Sequence, residues 1–170
     1  SGNVSSIIPA IKSLKIDNNK KTLLFISQTE LYDKPTMFKL LNKLKELSVF
    51  FNLKLVFRPH PRDYENKIIA KKLDIDISTV SEEEDMARTL IAVGLNSALM
   101  IGMMALNKHI LQVLHNNNLN ICQQFDYKNI SYLDTRDLDN FIFNSLKFEN
   151  NKNKNNGLIY SPVEIIKNNI

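Results

Sequence analysis

Short apolar runs alternate along this chain with segments in which apolar residues recur at helical spacing. Residues 22–27 form a largely apolar run, which is typical of a strand buried on both faces of a parallel sheet. Asp33 can then cap a helix with Pro35 in its first turn, and apolar residues recur every three or four positions up to Phe51. We predict that this strand and this amphipathic helix are the first of several βα units.

The alternation continues through most of the chain. Further strands are predicted over residues 53–57, 75–80, 90–93 and 109–113, and a less clear one over 130–133. Helices are predicted after the capping residues Asp63 and Ser81, over 97–106 and 137–146, and from Pro162, with an asparagine- and lysine-rich loop over 150–157. Strands that alternate with helices in this way predict a doubly wound, mostly parallel α/β sheet.

Composition adds limits on size and location. A chain of 170 residues, 44% of them hydrophobic, can bury one core but is short for two domains, so residues 1–170 are predicted to form a single domain. Ser1-Gly2 resembles a cloning scar. Cys122 is the single cysteine, and no Cys/His cluster suits a structural zinc, so we predict no disulfide, metal or cofactor. Without a signal peptide or an apolar run of about 20 residues, the chain is predicted to be cytoplasmic.

The charges are distributed unevenly between the two ends of the chain. Residues 1–72 carry 14 Lys and Arg against 6 Asp and Glu, whereas the remainder carries 8 against 12. A basic half can attract nucleic acid, anionic lipid or a phosphorylated small molecule, although lysines on outer helix faces are usually only solvated. The phenylalanines lie mostly at apolar positions rather than among the basic residues, so we predict no nucleic-acid partner.

The most informative candidate site is Arg58-Pro59-His60-Pro61-Arg62, at the end of the second predicted strand. Each proline fixes its own φ and biases the residue before it to extended geometry, so His60 has little backbone freedom. Open α/β sheets bind ligands at the carboxyl ends of their strands. A histidine there can donate a hydrogen bond or a proton to a phosphate, and the flanking arginines can stabilise its charge. The alternative is a loop histidine bonded to backbone, between two solvated arginines.

A second candidate phosphate site follows the fourth predicted strand. Gly94 permits a sharp turn, Asn96 or Ser97 can cap the next helix, and the free amides of its first turn face any anion placed there. The alternative is an ordinary N-cap beside a buried helix in which Gly102 allows close packing. In a parallel sheet this loop and the His60 loop open onto the same edge, where one nucleotide can touch both.

Two further residues are candidates at that edge. Gln28 follows the first strand, and Glu82 can present a carboxylate to ribose hydroxyls, although an acidic run at a helix start more often faces the helix dipole. The sequence contains neither a G-x-G-x-x-G motif after a strand nor a P-loop motif, which argues against dinucleotide and P-loop chemistry.

Residues 58–63 and 93–99 together resemble the paired motifs of bacterial sialyltransferases and of related capsule and lipooligosaccharide transferases. The resemblance implies the C-terminal, donor-binding half of a GT-B glycosyltransferase, inverting and metal-independent, that uses a CMP-linked sugar near the inner face of the bacterial membrane. It implies that His60 contacts the donor phosphate and assists departure of CMP, that Pro61 shapes the loop, and that Ser97 binds the phosphate. Nothing here matches the family's acidic motif, so the base and the glycan acceptor are expected on an N-terminal domain absent from this chain.

Other functions remain open at this stage. Similar His-Pro loops occur in transferases that use CDP-polyols or other nucleotide-linked donors. A flavodoxin-like domain that binds an anion or a nucleotide without catalysis, or that serves as an interaction module, fits the same cleft. A peripheral membrane contact through the basic half is a further alternative. The sequence predicts no oligomeric state.

Overall fold

Strands and helices alternate along the described part of the chain. The computed structural model describes residues 21–28, 33–94, 97–106, 108–113 and 135–154. The strands are β1 (Thr22–Ile26), β2 (Lys54–Arg58), β3 (Asp76–Ile77), β4 (Thr89–Gly94) and β5 (His109–Gln112). The helices are α1 (Lys34–Phe50), α2 (Tyr64–Lys72), α3 (Glu82–Arg88), α4 (Ala98–Ala105) and α5 (Thr135–Lys154).

The five strands form one parallel sheet in the order β3-β2-β1-β4-β5. The chain therefore runs outward from β1 through β2 to β3, then returns to the other side of β1 for β4 and β5. This reversal makes the carboxyl edge between β1 and β4 a topological switch point, the usual position of a ligand crevice in open α/β sheets. The predicted doubly wound, Rossmann-like α/β fold is confirmed.

The central strand β1 is buried along its whole length, and its side chains alternate between the two faces of the sheet. On one face Leu23 and Phe25 pack with apolar residues of α1, α2 and α5, and the ring of Phe25 stacks on that of Phe57 at 5.7 Å. On the other face Leu24 and Ile26 pack with α3 and α4. Helices thus cover both faces, as a parallel sheet requires.

Four predicted helix caps are present. The side chains of Asp33, Asp63, Ser81 and Ser97 each accept a hydrogen bond from a backbone amide two or three residues further on. Such bonds satisfy amides that have no partner within the helix. The local polar pattern therefore located the beginnings of α1 to α4 correctly.

Two predicted boundaries are wrong. The strand expected over 75–80 contains only Asp76–Ile77. The loop expected over 150–157 is helical up to Lys154, because α5 continues past the predicted end at residue 146. Contacts with the sheet favour this extension: Lys21 Nζ donates to Asn150 Oδ1 at 3.1 Å, and Glu149 bonds His109 Nε2 at 3.1 Å. Tertiary contacts here outweigh the low helix propensity of asparagine.

Several predictions lie outside the described residues. These are the strand over 130–133, the helix from Pro162, residues 155–157 of the predicted loop, and Ser1-Gly2. Within the described part of the chain, no helix has both the length and the apolar character that crossing a membrane requires.

Candidate functional site

The loops that carry the candidate residues leave the sheet at the same level on either side of β1. Ile26, the last residue of β1, is aligned with Arg58 of β2 on one side and with Gly94 of β4 on the other. Two strand spacings, about 10 Å, therefore separate the ends of β2 and β4. Gln28, which is partly exposed, follows β1 between them. The prediction that both loops open onto one edge is confirmed.

His60 is half-buried in the loop after β2, and backbone amides bond both its ring and its carbonyl oxygen. The backbone N–H of Arg62 donates to its Nδ1 at 3.2 Å, and the N–H of Asp63 donates to its carbonyl oxygen at 2.9 Å. Because Nδ1 accepts, the neutral ring carries its proton on Nε2. His60 is thus set to donate a hydrogen bond from Nε2, while Pro61 and Arg62 beside it are exposed.

Arg58 faces a different partner from the one its position suggested. Its guanidinium forms an ion pair with Asp85 of α3, and its Nη1 donates to the carbonyl oxygens of Val80 at 3.1 Å and Ser81 at 3.4 Å. Its Nη2 lies 3.7 Å from the carboxylate of Glu82, which is otherwise exposed. Direct contacts of Arg58 or Glu82 with a nucleotide stay predictions, since the structure shows these two groups engaged with each other.

Asp85 is a fully buried carboxylate that the sequence did not single out. It accepts hydrogen bonds from Arg58, from the hydroxyl of Ser78 at 2.6 Å and from Nε of Arg88 at 2.9 Å. The acidic run over 82–85 is typical of a solvated helix start, and α3 has only seven residues, too few for periodicity to reveal a buried face. The Arg88 three positions later was the available signal.

Asp63 is a second buried carboxylate, at the other end of the His60 loop. It caps α2 through the amide of Asn66 at 3.1 Å and also accepts from the side chain of Asn66 at 2.9 Å. In addition it accepts a hydrogen bond from the hydroxyl of Ser27, directly after β1. The sequence predicted the cap but not the link to β1.

Ser97 caps α4 as predicted, with its Oγ accepting from the amide of Leu99 at 3.3 Å. The first turn of α4 therefore begins at the carboxyl edge, where free backbone amides can bind an anion. Asn96 lies outside the described residues.

Gly94 is required for a reason other than the predicted one. No described glycine has a positive φ, so turn geometry does not demand a glycine there. Instead, a Cβ at Gly94 would lie 2.6 Å from Sδ of Met100 and 3.3 Å from Cβ of Ile26. Gly102 similarly lets α4 approach α3, with Sδ of Met86 at 3.0 Å from the position of a Cβ. Both glycines serve close packing behind the site.

The start of α3 carries an acidic side chain whose pKa is shifted. Hydrogen bonds from its own backbone amide and from Ser81 lower the pKa of Glu83, and the positive charge of Arg58 adds to the effect.

Among the described residues, no three His, Cys, Asp or Glu side chains lie together as the ligands of a metal ion would.

Comparison with known proteins shows a likeness in fold. No protein-family model matches the chain, and no curated protein sequence matches it. Among solved structures, it is similar to the UDP-GlcNAc 2-epimerase of Methanocaldococcus jannaschii, whose structure contains UDP-GlcNAc and UDP. The sequences are 15% identical, the TM-score is 0.55, and the match covers 86% of this chain but 42% of the epimerase. The match shows that this chain shares its α/β fold with a part of the epimerase that is less than half of that protein.

Proposed function

We propose that the carboxyl edge of this sheet binds the nucleotide of a nucleotide sugar, with its phosphate between His60 and the first turn of α4. The alignment of β2 and β4 on either side of β1 is the observation that carries the proposal. It places about 10 Å apart the two strand ends from which a constrained histidine loop and a capped helix start leave the sheet, so that one nucleotide can reach toward both.

Each part of this edge suits an anion. Nε2 of His60 is the ring nitrogen that can donate, because the amide of Arg62 occupies Nδ1. Ser97 and the free amides of α4 offer further donors and the positive end of a helix dipole. Arg62 is exposed beside His60 and supplies a positive charge without a buried ion pair.

Within nucleotide sugars, the proposal favours a CMP-linked donor, on the resemblance of the His60 and Ser97 motifs to those of sialyltransferases. In that reaction His60 donates a hydrogen bond, and finally its proton, to the phosphate that leaves with CMP, which stabilises the charge that develops as the glycosidic bond breaks. A carboxylate outside this chain activates the acceptor. The acceptor then attacks the anomeric carbon directly, which inverts the configuration at that carbon. The likeness to an epimerase in complex with UDP makes a sugar linked to a uridine nucleotide the alternative donor.

Thermal unfolding with CMP, CDP, UMP, UDP and duplex DNA tests the proposal. A ligand that binds only the native state adds about 2.7 kcal/mol at 100 times its Kd, which raises the Tm of a chain of this size by about 5–10 °C. We expect cytidine nucleotides to raise the Tm and DNA to leave it unchanged. The substitution His60→Ala should remove most of the nucleotide-induced rise in Tm without unfolding the protein.

The matched control is Tyr64→Ala, which changes an exposed residue of α2 four positions away and should keep the full shift. A Tm that no nucleotide raises would overturn the proposal. A shift with uridine but not cytidine nucleotides would leave the site and overturn the CMP-linked donor. A full shift in His60→Ala would show that the nucleotide binds elsewhere.

A further inference from the structure

The side chain of Arg58 connects the His60 loop to the segment that contains β3 and α3. Arg58 is the last residue of β2 and stands two positions before His60. Its carbonyl oxygen accepts from the amide of Ser27 at 2.9 Å, so its backbone is held by β1. Its guanidinium reaches the other way, to the carbonyl of Val80 at 3.1 Å and to the carboxylate of Asp85.

Asp85 is where these contacts converge. Its side chain has no exposed area, and both of its oxygens accept: Oδ2 from Arg58 and Ser78, Oδ1 from Nε and Nη2 of Arg88 at 2.9 and 2.5 Å. A buried carboxylate with this many donors fixes the direction of each of them, because any rotation leaves a buried polar group unpaired. Arg58 therefore has one favourable orientation.

The orientation of Arg58 extends to His60 through a short, stiff segment. Pro59 lies between them and has a fixed φ, and the ring of His60 is in turn bonded to the amide of Arg62. The loop that carries the imidazole is thus held on its N-terminal side by Arg58 and on its C-terminal side by the α2 cap.

We propose that Asp85 is a positioning residue that acts through Arg58 to hold His60 in place for the ligand phosphate. This inference rests on the proposed function. It differs from the simplest reading of the motif, in which Arg58 itself binds the phosphate and Asp85 only balances its charge. The buried carboxylate cannot touch a ligand at the surface, and among its partners Arg58 is the one that adjoins the His60 loop, so its effect on binding passes through Arg58.

Replacement of Asp85 by asparagine separates these two hypotheses, because only one of them predicts a loss of affinity for the nucleotide. A phosphate-binding Arg58 released from its carboxylate would bind a nucleotide as well as before, or more tightly. If Asp85 positions the loop, Asp85→Asn weakens nucleotide binding by about tenfold or more, since small misplacements of a contact group are costly. The measurement is the Kd of the nucleotide that stabilises the wild-type chain, by titration calorimetry well below both melting temperatures.

A second readout needs no ligand. Nitrogen chemical shifts of the His60 ring report which nitrogen carries the proton, and the bond from Arg62 selects the Nε2 form in the wild type. We expect Asp85→Asn to shift this ring toward a mixture of the two forms. If wild-type protein binds no nucleotide, the proposed function fails and these ring shifts alone decide the inference.

Glu149→Gln is the matched control, since it makes the same change at a carboxylate that bonds Nε2 of His109, at the amino end of β5. It should lower the Tm while leaving the Kd and the ring of His60 unchanged. Should Asp85→Asn fail to fold, Ser78→Ala removes a single bond to the same carboxylate and should still change the ring shifts and raise the Kd severalfold. An unaltered Kd and unaltered ring shifts in whichever variant folds would overturn the inference.

Discussion

The loop after β2 and the helix after β4, on either side of β1, are held in place by different physical means. The loop after β2 lies between two buried carboxylates, with Asp85 bonded to Arg58 at its beginning and Asp63 bonded to Ser27 at its end. Helix α4, on the other side of β1, depends on close packing, because Gly94 leaves room for Met100 to lie against the strand. Polar contacts hold the loop after β2, whereas close packing against a glycine holds helix α4.

The difference matches what each loop has to present. A histidine ring must be oriented about its own bonds to donate to an anion, and directional hydrogen bonds fix such an orientation. Backbone amides at a helix start already point along the helix axis, so they need only a helix in the right place. Non-directional packing is sufficient for that purpose.

The largest expected effect comes from filling the space at Gly94. Gly94→Val would place its side chain against Met100 and Ile26, and we expect overpacking to lower the free energy of unfolding by about 3 kcal/mol. Urea-induced unfolding measures this loss. Gly102→Ala is the control, because its methyl group would approach only the flexible side chain of Met86, at 3.0 Å, with no neighbouring strand of the described residues as close as Ile26 is to Gly94. Alanine also favours the helix by about 1 kcal/mol, so the net change should be small. Equal losses in both variants would mean that Gly94 has no special packing role.

An intermediate effect should separate the two caps at this edge. Asp63→Ala removes the cap of α2 and also leaves the hydroxyl of Ser27 without its carboxylate, at a cost of about 2 kcal/mol. Ser97→Ala removes only the cap of α4, at about 1 kcal/mol. Both values follow from urea-induced unfolding at neutral pH. If Ser97→Ala were the more destabilising change, the polar anchoring of the His60 loop would be weaker than the structure indicates.

The smallest effect concerns the pH dependence of stability at the start of α3, next to the contact between Arg58 and Asp85. The pKa of Glu83 is lowered in the folded chain, so its contribution to stability is present above the ordinary carboxyl pKa of about 4.3 and is lost as the pH falls through the lowered folded pKa. Glu83→Gln should therefore lose less stability than the wild type between pH 7 and pH 3. Urea unfolding across that range tests it, and parallel stability curves for the two proteins would contradict it.

Local signals made most of the fold predictable. Apolar runs located β1, β2, β4 and β5 to within one or two residues, and short-range cap signals located the starts of four helices. The errors occurred where distant contacts decided the outcome, as in α5, which continues through Asn150, bonded to Lys21. A short edge strand such as β3 also has too few residues to establish its own period.

The candidate site was predictable in its location but only partly in its construction. Parallel strands dictated that the His60 and Ser97 loops share an edge, which follows from the alternation of strands and helices alone. The destination of the Arg58 side chain did not follow, because its partner is 27 positions away and lies in a run of acids that look alike in sequence.

By itself, the sequence determined the strand and helix pattern, the caps and the pair of loops, because each of these depends on residues within a few positions of one another. Only the tertiary structure decided which acids are buried, where Arg58 points and why residue 94 is a glycine. Those properties depend on residues that meet in space from 6 to 68 positions apart, such as Met100 and Ile26 around Gly94 and Ser27 with Asp63. Periodicity along the chain carries no information about contacts between residues so far apart in sequence.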